Sequence, residues 1–366
     1  MKDLIRAHAG LLIAGVATFI MMGAGQSLFG PVLPVYVRDF GLSGAEAGLF
    51  VALLWVGCFL GVGFMFFRGA RVGPRHTLAV MAAGSGVMAA SPVWVLTLAG
   101  GVIFGIGYGM ATAVFNPRVM RAFGARGPSM LSLLNATFGV GAIAAPLAFV
   151  WLGSDPAWSF GIVTLVLAVI WLGAGAAGRE AVVQPGAVKT FRPHWPILGF
   201  GLVAIGMEAS LAGLGPTALI RAGIAEETAS QLLSAFFVVF LLARVALIFV
   251  AHRVEPFVLY TVAVGSAALF ALGAVFVSPA CFFVAMGASA GVFFPGFYVT
   301  ASGKMGEDLR VPPTIVASGL VGAIATPLLL APLSAVLGER GFFVLAAGIL
   351  IAVSAAALLS LRRMRV

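Results

Sequence analysis

Residues Leu202 to Ile220 read LVAIGMEASLAGLGPTALI. From Pro196 to Ile220 the run carries a single ionisable side chain, Glu208. As a helix rising about 1.5 Å per residue it crosses a hydrocarbon layer about 30 Å thick, with Glu208 roughly 18 Å in, near the midplane. A carboxyl group at that depth costs a few kcal/mol on even the lenient insertion scales, so it normally faces a cavity or a partner. Glu208 is therefore the first candidate for a transported or relayed proton. The competing reading is a protonated glutamate that hydrogen-bonds neighbouring helices together.

Working outward, the same character extends over the whole chain. Of 366 residues 61% are hydrophobic and 9% charged, and the mean hydropathy of +1.13 excludes a water-soluble core of this size. The chain reads as an all-α integral membrane protein. Strands of an outer-membrane barrel would alternate in segments of about ten residues, which are not visible, whereas 48 glycines and 19 prolines suit closely packed, locally broken membrane helices. Cys58 and Cys281 lie in apolar runs without His or Cys at ligand spacing, so both read as core thiols and no metal is expected. The net charge of +9 comes from scattered loop residues rather than a basic face, which argues against a nucleic-acid partner.

Apolar runs between charged or Pro/Gly breaks predict twelve transmembrane helices. Six run approximately from Leu11 to Val37, Ala47 to Phe67, Thr77 to Ala90, Val93 to Met120, Met130 to Leu152 and Trp158 to Ala177. Six more run from Pro196 to Ile220, Thr228 to Ala251, Pro256 to Val277, Ala280 to Ala301, Thr314 to Leu337 and Gly341 to Leu361. The third is short, and its join to the fourth falls at Ser91-Pro92. With the N-terminus inside, only Arg38, Arg221 and Arg340 face outward and Arg244 lies within a span, which leaves seventeen of the 21 basic residues inside. That bias places both termini in the cytoplasm of a cell with an inner-membrane address. Met1 to Ala9 reads as a cytoplasmic tail before a retained helix.

The longest interruption, Gly178 to Trp195, divides the chain into an N-terminal six-helix bundle (1–177), a cytoplasmic linker (178–195) and a C-terminal six-helix bundle (196–366). The two halves resemble one another. Gly141-Ala-Ile-Ala-Ala-Pro146 returns as Gly322-Ala-Ile-Ala-Thr-Pro327, 181 residues on, and Gly30-Pro31 has a counterpart in Gly215-Pro216. Corresponding breaks in two apolar halves mark a duplicated transporter with its site where the repeats meet. Gln26 occupies roughly the place in the first half that Glu208 has in the second.

Twelve spans, a central linker and duplicated halves resemble the major facilitator superfamily. Arg71-Val-Gly-Pro-Arg75 is similar to the Arg-x-Gly-x-Arg core of its signature loop, with Ala70 and Phe66 where an acid and a glycine would stand. The resemblance implies a gating role for Arg71, Gly73 and Arg75. Gly105-Ile-Gly-Tyr-Gly109, Asn116-Pro117, Leu134-Asn135, Phe138-Gly139, Gly141-Ala142 and Pro146 are similar to the fucose permease and sodium-linked glucose transporter branch, as are Gly206-Met-Glu208 with Gly213, and Ala243-Arg244. Thr112 stands where that branch's fucose permeases carry a glutamate, so a proton carrier in the fourth span is missing.

The chemistry-bearing residues are few. Every acid other than Glu208 lies near a span end, so no carboxylate pair or catalytic triad is available inside the membrane, and an enzyme is not expected. The glycines of the fourth span lack a P-loop's Gly-Lys-Ser/Thr. Arg244, nine residues before Arg253, reaches the depth of Glu208; it either pairs with the carboxylate, contacts an anion or snorkels to the headgroups. State-dependent making and breaking of that pair would switch Glu208 between proton release and uptake. Tyr108, Thr112 and Asn116 recur every four residues on one face, Asn135 opens a stripe in the fifth span, and Phe294 shares a face with Tyr298. Amides beside aromatic walls suit a sugar ring, which makes Gln26, Thr112, Asn116, Asn135 and Tyr298 the candidate substrate contacts.

These readings converge on a secondary active transporter that works by alternating access. It needs no cofactor beyond a transported proton or sodium ion, and is a monomer whose partners are a small-molecule substrate and the lipid bilayer. The resemblance implies sugar symport. Proton-coupled efflux of an amphiphilic drug or metabolite, and a non-transporting membrane sensor or scaffold, are the alternatives.

Overall fold

The computed structural model describes residues 6–68, 72–124, 127–177, 192–250, 253–306 and 310–364. Among them are twelve long α-helices and no strands. In the first half these are α1 (Ala9–Phe40), α2 (Gly44–Arg68), α3 (Pro74–Ala90), α4 (Trp94–Phe123), α5 (Gly127–Trp151) and α6 (Pro156–Gly173), the last followed by a 3₁₀ turn at Ala174–Ala177. The second half holds α7 (Trp195–Arg221), α8 (Glu226–Val250), α9 (Pro256–Phe276), α10 (Pro279–Met305), α11 (Val311–Val336) and α12 (Gly341–Met364). Eleven are long and apolar enough to span a membrane. The exception is α3, at 17 residues, the span the sequence marks as short. The protein is thus a multi-pass membrane protein.

Local sequence explains the helix ends. Asp155 caps α6, its Oδ1 accepting from the Ala157 and Trp158 amides at 2.7 and 3.2 Å, and the Ser278 hydroxyl accepts the Cys281 amide at the start of α10. Each satisfies a backbone donor that the helix itself leaves open. Two expectations are corrected here. The chain does not break at Gly30-Pro31 or Gly215-Pro216: α1 runs on through Pro31 and Pro34 and α7 through Pro216. A proline removes one amide donor and crowds a carbonyl one turn back, which bends a membrane helix without ending it. Cys281 lies in the first turn of α10 and is exposed, whereas Cys58 is buried as expected.

The chain gathers into two compact units, Met1–Phe40 with Leu53–Val183 and Gly41–Ala52 with Gln184–Val366. In the first, α1 packs on α5, α3 lies between α4 and α6, and α2 runs against α4. In the second, α7 packs on α11, α9 lies between α10 and α12, and α8 runs against α10. The pairing of helices is the same, shifted by six. It is repeated at the level of single residues. A β-carbon at Gly105 or Gly109 of α4 would strike the carbonyl oxygen of Leu54 or Cys58 in α2; Gly287 and Gly291 of α10 stand likewise against Phe236 and Phe240 of α8. All four positions are displaced by 182 residues. Gly141 against the Ile20 carbonyl and Gly322 against that of Leu202 form another such pair. Only a residue without a side chain lets two backbones approach this closely, which is how membrane helices associate when lipid is as apolar as they are.

Candidate functional site

In the second unit, α7 carries Glu208 and the neighbouring α8 carries Arg244. Their facing atoms, Oε1 and Nη2, are 4.0 Å apart. Two further groups hold the guanidinium. Its Nε donates to the Gly291 carbonyl of α10 at 3.3 Å, and its central carbon lies 4.3 Å from the centre of the Phe240 ring, one helical turn back on α8, where the ring face attracts a cation. Glu208 is held less well: Oε2 is buried and has no hydrogen-bond partner among the described residues. The side chains of Arg244 and Glu208 keep 26% and 23% of their surface accessible. At 4.0 Å the pair attracts through space but is longer than a charge-assisted hydrogen bond, about 2.7–2.9 Å.

In the first unit, Gln26 of α1 accepts a hydrogen bond from the Tyr108 hydroxyl of α4 at 2.9 Å. Trp55 of α2 meets the Tyr108 ring edge-on, 6.1 Å between centres. The Thr112 hydroxyl is turned back on the Tyr108 carbonyl of its own helix at 3.1 Å, so it is half-buried but already satisfied. Asn116 keeps a buried Oδ1 without a partner among the described residues, a polar atom that burial makes costly unless something donates to it. Asn135 is exposed, and its amide donates to the Leu131 carbonyl within α5. In the second unit Tyr298 is half-buried beside Phe294, 5.4 Å between ring centres. Gln26 and Glu208 occupy equivalent places, 182 residues apart, and so do Asn116 and Tyr298.

Within the signature-like loop, the Gly73 amide donates to His76 Nδ1 at 3.1 Å. Arg75 donates to the Leu172 carbonyl at 3.1 Å and lies 5.3 Å from the Trp171 ring centre, so it binds the C-terminal end of α6, where helix carbonyls favour a cation. Arg118 of α4 donates to the Val72 carbonyl at 3.2 Å. Arg71 and linker residues 178–191 lie outside the described residues.

Two contributors were not anticipated, Phe240 and Trp55. Phe240 was legible as an aromatic four residues before Arg244 on one helix. Trp55 was legible by depth: the other five tryptophans of the chain lie near helix ends, as interfacial anchors do, while Trp55 sits in the middle of α2. Among the described residues no cluster of three or more His, Cys, Asp or Glu is placed to hold a metal ion.

The sequence profile described as Major Facilitator Superfamily matches residues 15–311. The chain belongs to that superfamily. It is therefore a transporter and not an enzyme. Its fold is similar to the crystal structure of a D-xylose–proton symporter, at TM-score 0.75 and 15% identity over 95% of this chain and 96% of that one. A bacterial homologue of the human lysosomal transporter Spinster, inward-facing and unoccupied, gives TM-score 0.76 and 13% identity over 98% of each chain. The nucleoside transporter NupG gives 0.75 and 13% over 96% of this chain and 98% of that one. At such identities the likeness is one of fold alone. No curated protein sequence matches the chain.

Proposed function

We propose that this superfamily member is a secondary active transporter of a small hydroxylated organic solute, with proton movement coupled through Glu208. The observation that carries the reading is the Glu208–Arg244 pair. It is a loose ion pair within the spanning segments, with about a quarter of each side chain accessible and one buried carboxylate oxygen that has no hydrogen-bond partner among the described residues. A carboxylate so placed is able to exchange its cation for a proton without breaking a hydrogen bond to any of the described residues. The other side chains support a hydroxyl-rich ligand: the Gln26–Tyr108 pair with Trp55 at its edge, the unsatisfied Asn116 oxygen, and the Phe294–Tyr298 pair supply amides and ring faces of the kind that hold a sugar. The resemblance to the fucose permease branch and the fold shared with a xylose symporter are consistent with a sugar-like substrate. Protons are favoured over sodium because Glu208 faces a guanidinium, which would repel a metal cation.

Uptake by proteoliposomes under an imposed pH gradient, repeated under a sodium gradient, tests this. Uphill accumulation of a sugar or related solute is expected with the proton gradient only. Glu208→Gln should abolish accumulation and spare solute exchange; full accumulation in that variant removes Glu208 from the coupling role.

A further inference from the structure

We propose that the solute carried by this protein bears a single carboxylate, which binds by taking Arg244 from Glu208 while Glu208 accepts a proton. This rests on the reading of Glu208 as the coupling residue and names the substrate class that the same site selects.

The first argument is that Arg244 does not depend on Glu208 for its position. The Gly291 carbonyl accepts from Nε and the Phe240 ring centre lies 4.3 Å from the guanidinium carbon, so the guanidinium keeps both contacts if the glutamate leaves. Secondly, Glu208 makes an exchangeable contact. At 4.0 Å it shares no hydrogen bond through Nη2, whereas a free carboxylate docking edge-on to a guanidinium forms two parallel ones. An incoming acid thus gains what the resident glutamate lacks. A neutral polyol offers Arg244 hydroxyl oxygens only and gives the site no reason to release Glu208.

The exchange balances. Glu208 carboxylate paired with Arg244, plus a substrate carboxylate and a proton, becomes neutral Glu208 and a substrate carboxylate paired with Arg244. One O–H bond forms, none breaks, and the charge of the site is unchanged. Among the described residues, the other charged groups on the helices packed around the pair, Arg221, Glu226, Glu227, Lys304, Arg310, Arg362 and Arg363, stand at helix ends, and Cys281 and Tyr298 are the remaining titratable groups of α10. With one cation to meet it, a monoacid fits and a second carboxylate would be buried unpaired. The class is that of monocarboxylates, hydroxy acids and sugar acids included.

The test uses the purified protein with D-gluconate, D-glucuronate and L-lactate, each set beside D-glucose as the neutral control. At least one acid should raise the melting temperature, because a ligand of the folded state stabilises it by mass action. A pH dye in weak buffer should report one proton taken up per acid bound. In proteoliposomes entry of that acid should follow a pH gradient and ignore an imposed membrane potential. Glu208→Gln should still bind the acid without proton uptake, and Arg244→Lys, which keeps the charge and loses the fork, should bind it about tenfold more weakly. Silence from all three acids overturns the proposal, as does binding of equal strength in Arg244→Lys. Proton-coupled glucose transport that the acids do not inhibit overturns the carboxylate class while leaving Glu208 as the coupling residue. Acid binding without proton uptake in the unaltered protein removes both.

Discussion

At the scale of single residues, Glu208 and Arg244 are unequal partners. Among the described residues, Arg244 has a carbonyl and a ring beside it in addition to Glu208, whereas the partner shown for Glu208 is Arg244. Their removal should therefore be strongly non-additive. Arg244→Ala strands a carboxylate away from bulk water, a change that costs up to about 3–5 kcal/mol for a fully buried pair and less for one a quarter accessible. Adding Glu208→Gln to Arg244→Ala should restore part of that loss, so the double variant melts above the single one; a simple sum of the two losses would mean that the pair does not interact. In the first unit, Tyr108→Phe deletes the donor to Gln26 and should lower stability by about 1 kcal/mol, read as a melting-temperature drop that Gln26→Ala, combined with it, does not deepen. Glu208 was legible in the sequence because an acid in an apolar run has no ordinary reason to be there. The Gln26–Tyr108 bond was not, although both residues were singled out, because it depends on how α1 and α4 are rotated against each other. Nor does the spacing that makes Asn135 a candidate contact reveal that its amide donates to the Leu131 carbonyl of its own helix.

At the scale of the helix, run lengths in the sequence translate closely into elements, down to the short α3 and the join at Ser91-Pro92. Prolines were the part that misled. In water an internal proline ends a helix, but in a packed membrane bundle neighbouring groups take up the freed carbonyl, so α1 and α7 continue where the sequence suggested breaks. Glycines behave oppositely and were read correctly as close contacts. Gly141→Ala and Gly322→Ala would each drive a methyl group into a facing carbonyl, of Ile20 and Leu202 respectively, and should each destabilise by about 1–3 kcal/mol. Gly199→Ala meets nothing within 4 Å and, gaining helix propensity of up to about 1 kcal/mol, should be neutral or stabilising. Thermal melts of the three variants check the contrast; equal losses at all three would mean that the glycines act through helix propensity and not through contact. Arg75 gives a further element-level expectation. Since it joins the start of α3 to the end of α6, Arg75→Ala should weaken that junction by about 0.5–1.5 kcal/mol, and Arg75→Lys should recover less than half of it, because lysine lacks the planar face that lies on Trp171.

At the scale of the molecule, the duplication is written in backbone contacts more plainly than in the side chains. Crossings such as Gly109 on Cys58 and Gly291 on Phe240 keep a spacing of 182 residues, while the polar positions have diverged. Gln26 answers to Glu208, and Asn116 to Tyr298. The sequence showed that repeat only where whole motifs survive, as in the Gly141 and Gly322 segments, because a glycine contact preserves one residue and frees its neighbours to change. The first unit retains Gln26 and Asn116 at these positions, whereas the second holds Glu208 and Tyr298, so the proposed coupling rests on one half of the fold. The most direct measurement of that assignment is the proton flux that accompanies solute entry into proteoliposomes, followed with an internal pH dye in the unaltered protein and in Glu208→Gln. The account predicts protons entering with solute in the first and solute entering without protons in the second; the same proton flux in both would contradict it.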